Sequence, residues 1–333
     1  MTQRVFRCGI VGYGPAFNMG KYHGEVISKT AGLELAAVCD KDESRLEAAR
    51  KDFPTVKIFS NIESMLENGH IDLVVIVTPH DTHAELALKA LRAGKHVIVE
   101  KPMCITVNDA NAMIDAAREK QLMLTVFHCR RLDGDFLAIK RIIEGGVVGR
   151  VFHVEAFGGS YENPGKWWRS DKTISGGAMY DWGAHFTDWI LNIVPERVVG
   201  VNGYFHKLVW NDVTNEDQVE ATIIFESGAV ADLQLSNIAI VGKPKWRILG
   251  SKGGIAVDQG GRLILYVYSQ GYRFETNVPY KGSDWSPYYT NIVEHLLLGK
   301  ELLVKPEEAR RVIAIMEAAE RSSKSGTTER VFL

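Results

Sequence analysis

Apolar runs and helix-spaced segments alternate through the first 130 residues of the chain. FRCGIVGYG (6–14) is strand-like and ends in glycines, and LELAAVCD (33–40) repeats the strand pattern. ESRLEAARKDF (43–53) has the Ala, Glu and Arg content of a helix. IDLVVIVTP (71–79) is almost unbroken Val and Ile, as a parallel strand covered on both faces requires. HAELALKALRAG (83–94) has helical spacing and closes on Gly94 as a C-terminal cap. HVIVE (96–100) is the next strand, VNDANAMIDAAREKQ (107–121) the next helix and LMLTVFHC (122–129) another strand. Strand and helix in turn, with short connections, predict an α/β fold with a doubly wound parallel sheet.

From about residue 150 the period shortens. VEATIIFESGAVADLQLS (219–236) alternates with period two across a Glu-Ser-Gly turn, the signature of a hairpin. PKWRILG, GGIAVD, GRLILYVYS and YRFETNVP continue the short strands, and two helices, 286–299 and 305–326, close the chain. This half reads as an α+β domain with a large, mostly antiparallel open sheet and helices on one face. The expected boundaries are 1–127 for the first domain and 128–333 for the second. No repeat or low-complexity linker separates them, so a cleft between two packed domains is the expected ligand site.

Length agrees: 333 residues exceed what one hydrophobic core usually covers. With 46% apolar and 24% charged residues, the chain has the composition of an ordinary soluble protein. A formal charge of −2 gives no electrostatic reason to expect a nucleic-acid or anionic-membrane partner. No apolar run has membrane-spanning length, and Met1, Thr2, Gln3 and Arg4 lead straight into strand-like sequence rather than a signal peptide. Cysteines 8, 39, 104 and 129 lack CxxC or CxxH spacing and sit in or beside apolar runs. They read as reduced packing residues of a cytoplasmic protein, and no metal site is expected.

The glycines after the first strand carry the first chemistry. Gly12 and Gly14 suit a tight turn and a close approach of backbone to a pyrophosphate at a helix N-terminus. The third glycine of G-x-G-x-x-G falls on Phe17, a departure that three extra residues, Ala16, Phe17 and Asn18, would explain by moving that role to Gly20. Pro15 and these three residues complete the candidate cofactor loop. Asp40 ends the second strand, where an acid holds a ribose diol and repels a 2′-phosphate, so NAD is expected. Lys41 beside it softens that repulsion and leaves NADP open.

Three more motifs follow in order: Thr78-Pro79-His80 with His83, then Glu100-Lys101-Pro102, then GGAMYDWGAHFTDW (176–189). Together with the glycine loop, this set resembles the Gfo/Idh/MocA family of oxidoreductases, named for glucose–fructose oxidoreductase and inositol dehydrogenase, over essentially the whole chain. The resemblance implies a dinucleotide-binding first domain and a second domain for substrate binding and oligomerisation, in a homodimer or homotetramer. It makes Lys101 the lysine that contacts both nicotinamide ribose and substrate. It makes Asp181 and His185 the paired residues of the substrate pocket, with Trp168 and Arg169 nearby. Thr78, Pro79, His80 and His83 fall where the family's fourth strand meets the cofactor, His128 (a further cofactor candidate) and Arg131 sit in its segment entering the second domain, and Cys129 stands where Asn is common; Glu100 either helps position Lys101 or contacts the cofactor's ribose. Relatives also suggest a cis Lys101–Pro102 bond.

The chemistry explains these residue types. Oxidising a secondary alcohol removes a proton from oxygen as hydride leaves carbon, which calls for a base and a fixed cation beside the developing alkoxide. His185 is suited to take the proton near neutral pH, and Lys101 to stabilise the alkoxide. Asp181 and His185, four apart, share a face if the segment after Gly177 is one helix, and Asp188 then lies behind the imidazole, more a structural residue than a catalytic one. The leading reading is an NAD(P)-dependent oxidoreductase acting on a sugar, polyol, inositol or derivative. The alternatives are an NAD-dependent glycosidase using transient oxidation, which would release sugar without accumulating NADH, and a catalytically silent NAD(P)-sensing regulator.

Overall fold

The computed structural model describes residues 4–331; Met1, Thr2 and Gln3, read above as free of a leader, and residues 332–333 lie outside the described residues. The first strands and helices run β1 (Phe6–Val11), α1 (Met19–Lys29), β2 (Leu33–Cys39), α2 (Glu43–Asp52), β3 (Lys57–Phe59) and α3 (Ile62–Asn68). They continue as β4 (Leu73–Ile76), α4 (His83–Arg92), β5 (His96–Glu100), α5 (Val107–Glu119) and β6 (Leu124–Phe127). The six strands are all parallel, in the order β3-β2-β1-β4-β5-β6. Every residue of β4 is buried, as its unbroken apolar run requires. Short polar side chains start the helices: Asp42 accepts from Ser44 N, Asn61 from Ser64 N and Thr106 from Asp109 N. The three residues of β3 and seven of α3 are too short to show a period, which is why the pattern above passes over them.

The second half contains α6 (Gly134–Glu144), β7 (Val151–Gly159), α7 (Lys172–Ser175), α8 (Trp182–Ile193), β8 (Val198–His206), β9 (Gln218–Phe225) and β10 (Val230–Ser236). β11 (Trp246–Gly250), β12 (Gly253–Val257), β13 (Leu263–Ser269) and β14 (Tyr272–Asn277) follow, then α9 (Ser286–Leu298) and α10 (Pro306–Ser325). Eight strands form one sheet in the order β14-β13-β12-β11-β7-β10-β9-β8, antiparallel throughout except for the parallel pair β7 and β10. The expected hairpin is β9–β10: Val219, Ala221, Ile223 and Phe225 alternate into the core with Ala231, Leu233 and Leu235. Helix α8 lies on this face, its Phe186 and Trp189 rings 5.4 and 5.6 Å from Trp246 of β11.

By packing, the chain divides differently from the single boundary at 127/128. One unit runs to His128 and takes in Ser286–Arg310; the other comprises Cys129–Trp285 and the chain from Arg311 onward. Helix α9 therefore belongs with the parallel sheet, although the sequence places it after all eight antiparallel strands. Its Tyr288 ring stands 4.8 Å from Phe127 at the end of β6, and Val293 lies against Gly32. The apolar face of α9 finds its partner in space rather than in chain order.

Candidate active site

In a parallel sheet all carboxyl ends share one edge, and ligands of such sheets bind there, at the point where strand order reverses. Here that point lies between β1 and β4, and the glycine loop sits on it. Gly12 has φ +98, and a Cβ there would stand 2.8 Å from the carbonyl of Val77 at the end of β4. A Cβ on Gly20 would approach Gly12 O to 2.7 Å, so Gly20 takes the close-packing role displaced from Phe17. Gly14 is different: a Cβ there meets no protein atom within 4 Å, leaving open space above the loop. Pro15, Phe17 and Asn18 are exposed and Ala16 half-buried in the turn before α1, with Phe17 and Asn18 in the left-handed region.

Asp40 faces this loop from the end of β2. One carboxylate oxygen accepts from Tyr13 N at 2.6 Å and the other from Asp42 N at 3.0 Å. An ionised carboxylate has about four acceptor positions, so room remains for a diol. Lys41 is exposed beside it. Open glycine backbone, a helix N-terminus and a fixed acid fit a dinucleotide.

The loops after β4 and β5 are tied by one buried imidazole. His83 places Nδ1 2.8 Å from Pro102 O and Nε2 2.8 Å from Thr78 O, so it acts as a strut between the two loops. Thr78 and Pro79 are half-buried at the edge; His80 packs against His83, and His128 is buried after β6. Lys101 is 9% exposed, and the Lys101–Pro102 bond is cis. Glu100 folds back so that Oε2 accepts from Lys101 N at 3.1 Å, while Oε1 lies 3.0 Å from His23 Nε2. Burial pushes this carboxyl up, but the His23 hydrogen bond and charge, with Lys101 adding to them, hold it below the ordinary glutamate value. His23 reaches on through Nδ1 to Tyr289 Oη at 2.6 Å. Neither His23 nor Tyr289 carries any sequence signal: they are 266 positions apart.

In the second unit the GGAMYD segment turns on Gly176 and Gly177, with φ of +87 and +115. Glu216 holds the turn, accepting from Ala178 N and pairing with Lys172. A 3-10 turn over Ala178–Tyr180 then breaks at Asp181, so the single helix expected from Gly177 does not form: Asp181 stands at the N-terminus of α8 and His185 within it. Arg169 donates to Asp181 at 2.6 Å, and its guanidinium lies 4.6 Å from the Trp168 ring centre. His185 is 7% exposed, between Trp182 and Trp189, with ring centres 5.7 and 6.2 Å away. Asp188, placed behind the imidazole above, is held by Arg131, which grips both its oxygens, at 2.8 and 2.5 Å, in a buried fork-to-fork pair.

Residues 6–128 match an oxidoreductase family with an NAD-binding Rossmann fold, and residues 136–256 match the GFO/IDH/MocA C-terminal domain. The uncharacterized oxidoreductase YdgJ of Escherichia coli is 37% identical over 188 residues, 56% of this chain. That match spans about half, 53%, of the relative's own length. The scyllo-inositol 2-dehydrogenase (NADP+) IolW of Bacillus subtilis is 28% identical over 97% of this chain and 95% of that protein. The crystal structure of an NAD-binding protein from Listeria innocua aligns with a TM-score of 0.87 at 29% identity, covering 98% of this chain and 97% of the other.

Proposed function

The chain belongs to the Gfo/Idh/MocA oxidoreductase family, and from that premise we propose that it is an NAD(P)-dependent dehydrogenase of secondary alcohols on inositols, polyols or sugar derivatives. The observation that carries the reading is Lys101, a buried ammonium at the carboxyl end of β5, in a unit whose glycine loop stands open at Gly14. Gly12, Gly14 and the turn 15–18 would hold a pyrophosphate, and Asp40 the adenosine ribose. Thr78 and Pro79 line the same edge. Bound NAD would supply the hydride acceptor, which no side chain can.

The protein's part is charge and proton management. Lys101 offers a cation to the alcohol oxygen as its proton leaves. His185, an imidazole held between two indoles, takes that proton. Arg169 and Asp181 present a donor and an acceptor fixed by their mutual ion pair, and Trp168 an apolar ring, a combination suited to hydroxyl-bearing carbon. Asp40 favours NAD, while exposed Lys41 and the NADP+ in one relative's name keep the phosphorylated cofactor in play.

A panel of inositols, polyols and sugars incubated with NAD+ or NADP+ tests the reading. The expected result is stoichiometric reduced cofactor and ketone, with Lys101→Ala lowering kcat by roughly two to four orders of magnitude at nearly unchanged NAD affinity. Sugar release without accumulation of reduced cofactor would replace the dehydrogenase by a glycosidase, and normal turnover of Lys101→Ala would remove Lys101 from the chemistry.

A further inference from the structure

Beneath Lys101, three polar side chains from three distant segments meet in an otherwise apolar interior. His23 of α1 is fully buried, Glu100 ends β5, and Tyr289 of α9 is fully buried. Aromatic rings fix the imidazole plane: Phe127 stands 4.5 Å from it, Tyr22 and Tyr289 5.9 Å. Burying such groups is unfavourable unless each is hydrogen-bonded, and here the bonds form one directed chain. Burial keeps the Tyr289 phenol protonated, far above its ordinary value, and its Oη lies 2.6 Å from His23 Nδ1. Nε2–H then donates to Glu100 Oε1, and Glu100 Oε2 accepts the backbone N–H of Lys101. Every donor meets an acceptor.

We propose that His23 is a positioning residue for Lys101: with Tyr289 it clamps the Glu100 carboxylate, and the clamped carboxylate fixes the backbone from which the Lys101 side chain departs. The proposal deepens the dehydrogenase reading and rests on Lys101 acting at the substrate oxygen. Glu100 is then no ligand contact but a bracket, with one oxygen on the imidazole and one on the lysine's own amide. The titratable groups around the clamp are Lys101 on the same strand end, Tyr22 and His23 on α1, Tyr288 and Tyr289 on α9, and Cys8 on β1.

The test compares His23→Leu, His23→Gln and Tyr289→Phe in the full chain. Carboxyl-labelled glutamate NMR reads Glu100 directly, its resonance identified by loss in Glu100→Gln. In His23→Leu the Glu100 titration midpoint should rise by about one pH unit, because a hydrogen bond donated to the charged form is lost. His23→Gln, whose amide still reaches the carboxylate, should recover part of the shift, and Tyr289→Phe should show a smaller one in the same direction. On a substrate found in the polyol panel, kcat should fall roughly tenfold in His23→Leu, the effect of one lost charge-assisted hydrogen bond, with NAD affinity within about twofold because Asp40 and the glycine loop are untouched. An unchanged Glu100 titration together with wild-type kcat in His23→Leu overturns the proposal. Wild-type turnover in Lys101→Ala overturns the reading beneath it instead, and a titration shift without loss of kcat limits His23 to a structural role and also refutes the positioning claim.

Discussion

Glu100 and Lys101 are neighbours in the chain, yet their side chains do opposite things. The lysine stands buried just past the carboxyl end of β5, while the glutamate turns back into the protein to meet His23. Because the folded carboxyl titrates below its ordinary value, its stabilising contribution is complete above that ordinary value and is lost as pH falls through the lower folded one. The melting temperature of Glu100→Gln should therefore lie below that of the native chain near neutral pH, and the gap should narrow as pH falls from about 6 to about 3. A gap independent of pH would mean that the carboxylate charge contributes nothing. At this scale the motif order singled out Lys101, Asp181 and His185 as candidates, because those side chains travel with short local signatures. His23 and Tyr289 stayed hidden because a buried hydrogen bond over 266 positions leaves no local pattern. Asp188, read as more structural than catalytic, did not disclose its partner because Arg131 lies 57 positions away.

Two elements carry proposed functional residues, one in each unit, and each is held by a device with a measurable consequence. Helix α8 presents His185 and is pinned from behind by Arg131 on Asp188, both buried. A buried pair of this kind contributes little net stability, yet removing one member strands the other, at about 3–5 kcal/mol. Its value here is orientation of the helix. Helix α1 is held through glycines that the fingerprint orders differently from the space they occupy. Gly14→Ala places its methyl in open space over the loop, so NAD affinity should fall by tenfold or more, estimated from a steric block at the backbone's close approach, while the melting temperature stays within a degree or so. Gly20→Ala drives its methyl toward Gly12 O at 2.7 Å, so both NAD affinity and melting temperature should fall. Calorimetry and NAD titration of the two variants separate these outcomes, and equal melting losses would deny Gly14 its place as ligand space. The departure at Phe17 was legible as an insertion; the break at Asp181 was not, because two positive-φ glycines end the helical period before it begins.

For the whole molecule, the telling element is α9. Strand and helix spacing gave its extent, Ser286–Leu298, almost to the residue, but periodicity says only that a helix has an apolar face and never which sheet that face will join. Tyr288, Tyr289, Ile292 and Val293 are buried in the unit of the parallel sheet. Thr125 of β6 donates to Val304 O at 2.7 Å just beyond the same helix. At about 1.5–3 kcal/mol per large buried side chain, these four contribute on the order of 6–12 kcal/mol, as much as the whole stability of a typical domain. Residues 1–128 alone should therefore lack a cooperative melting transition, although they contain every strand of the Rossmann sheet. The same segment joined through a flexible linker to residues 286–310 should regain that transition and, with it, NAD binding. A cooperative melt of 1–128 near the temperature of the full chain would refute this, and would return α9 to the role that chain order suggests. If the prediction holds, the cofactor unit is finished by a segment made only after every strand of the second sheet. Tyr289, the far end of the His23–Glu100 chain, is then absent until that segment is made, so the bracket behind Lys101 forms only once residues 286–310 have joined the parallel sheet.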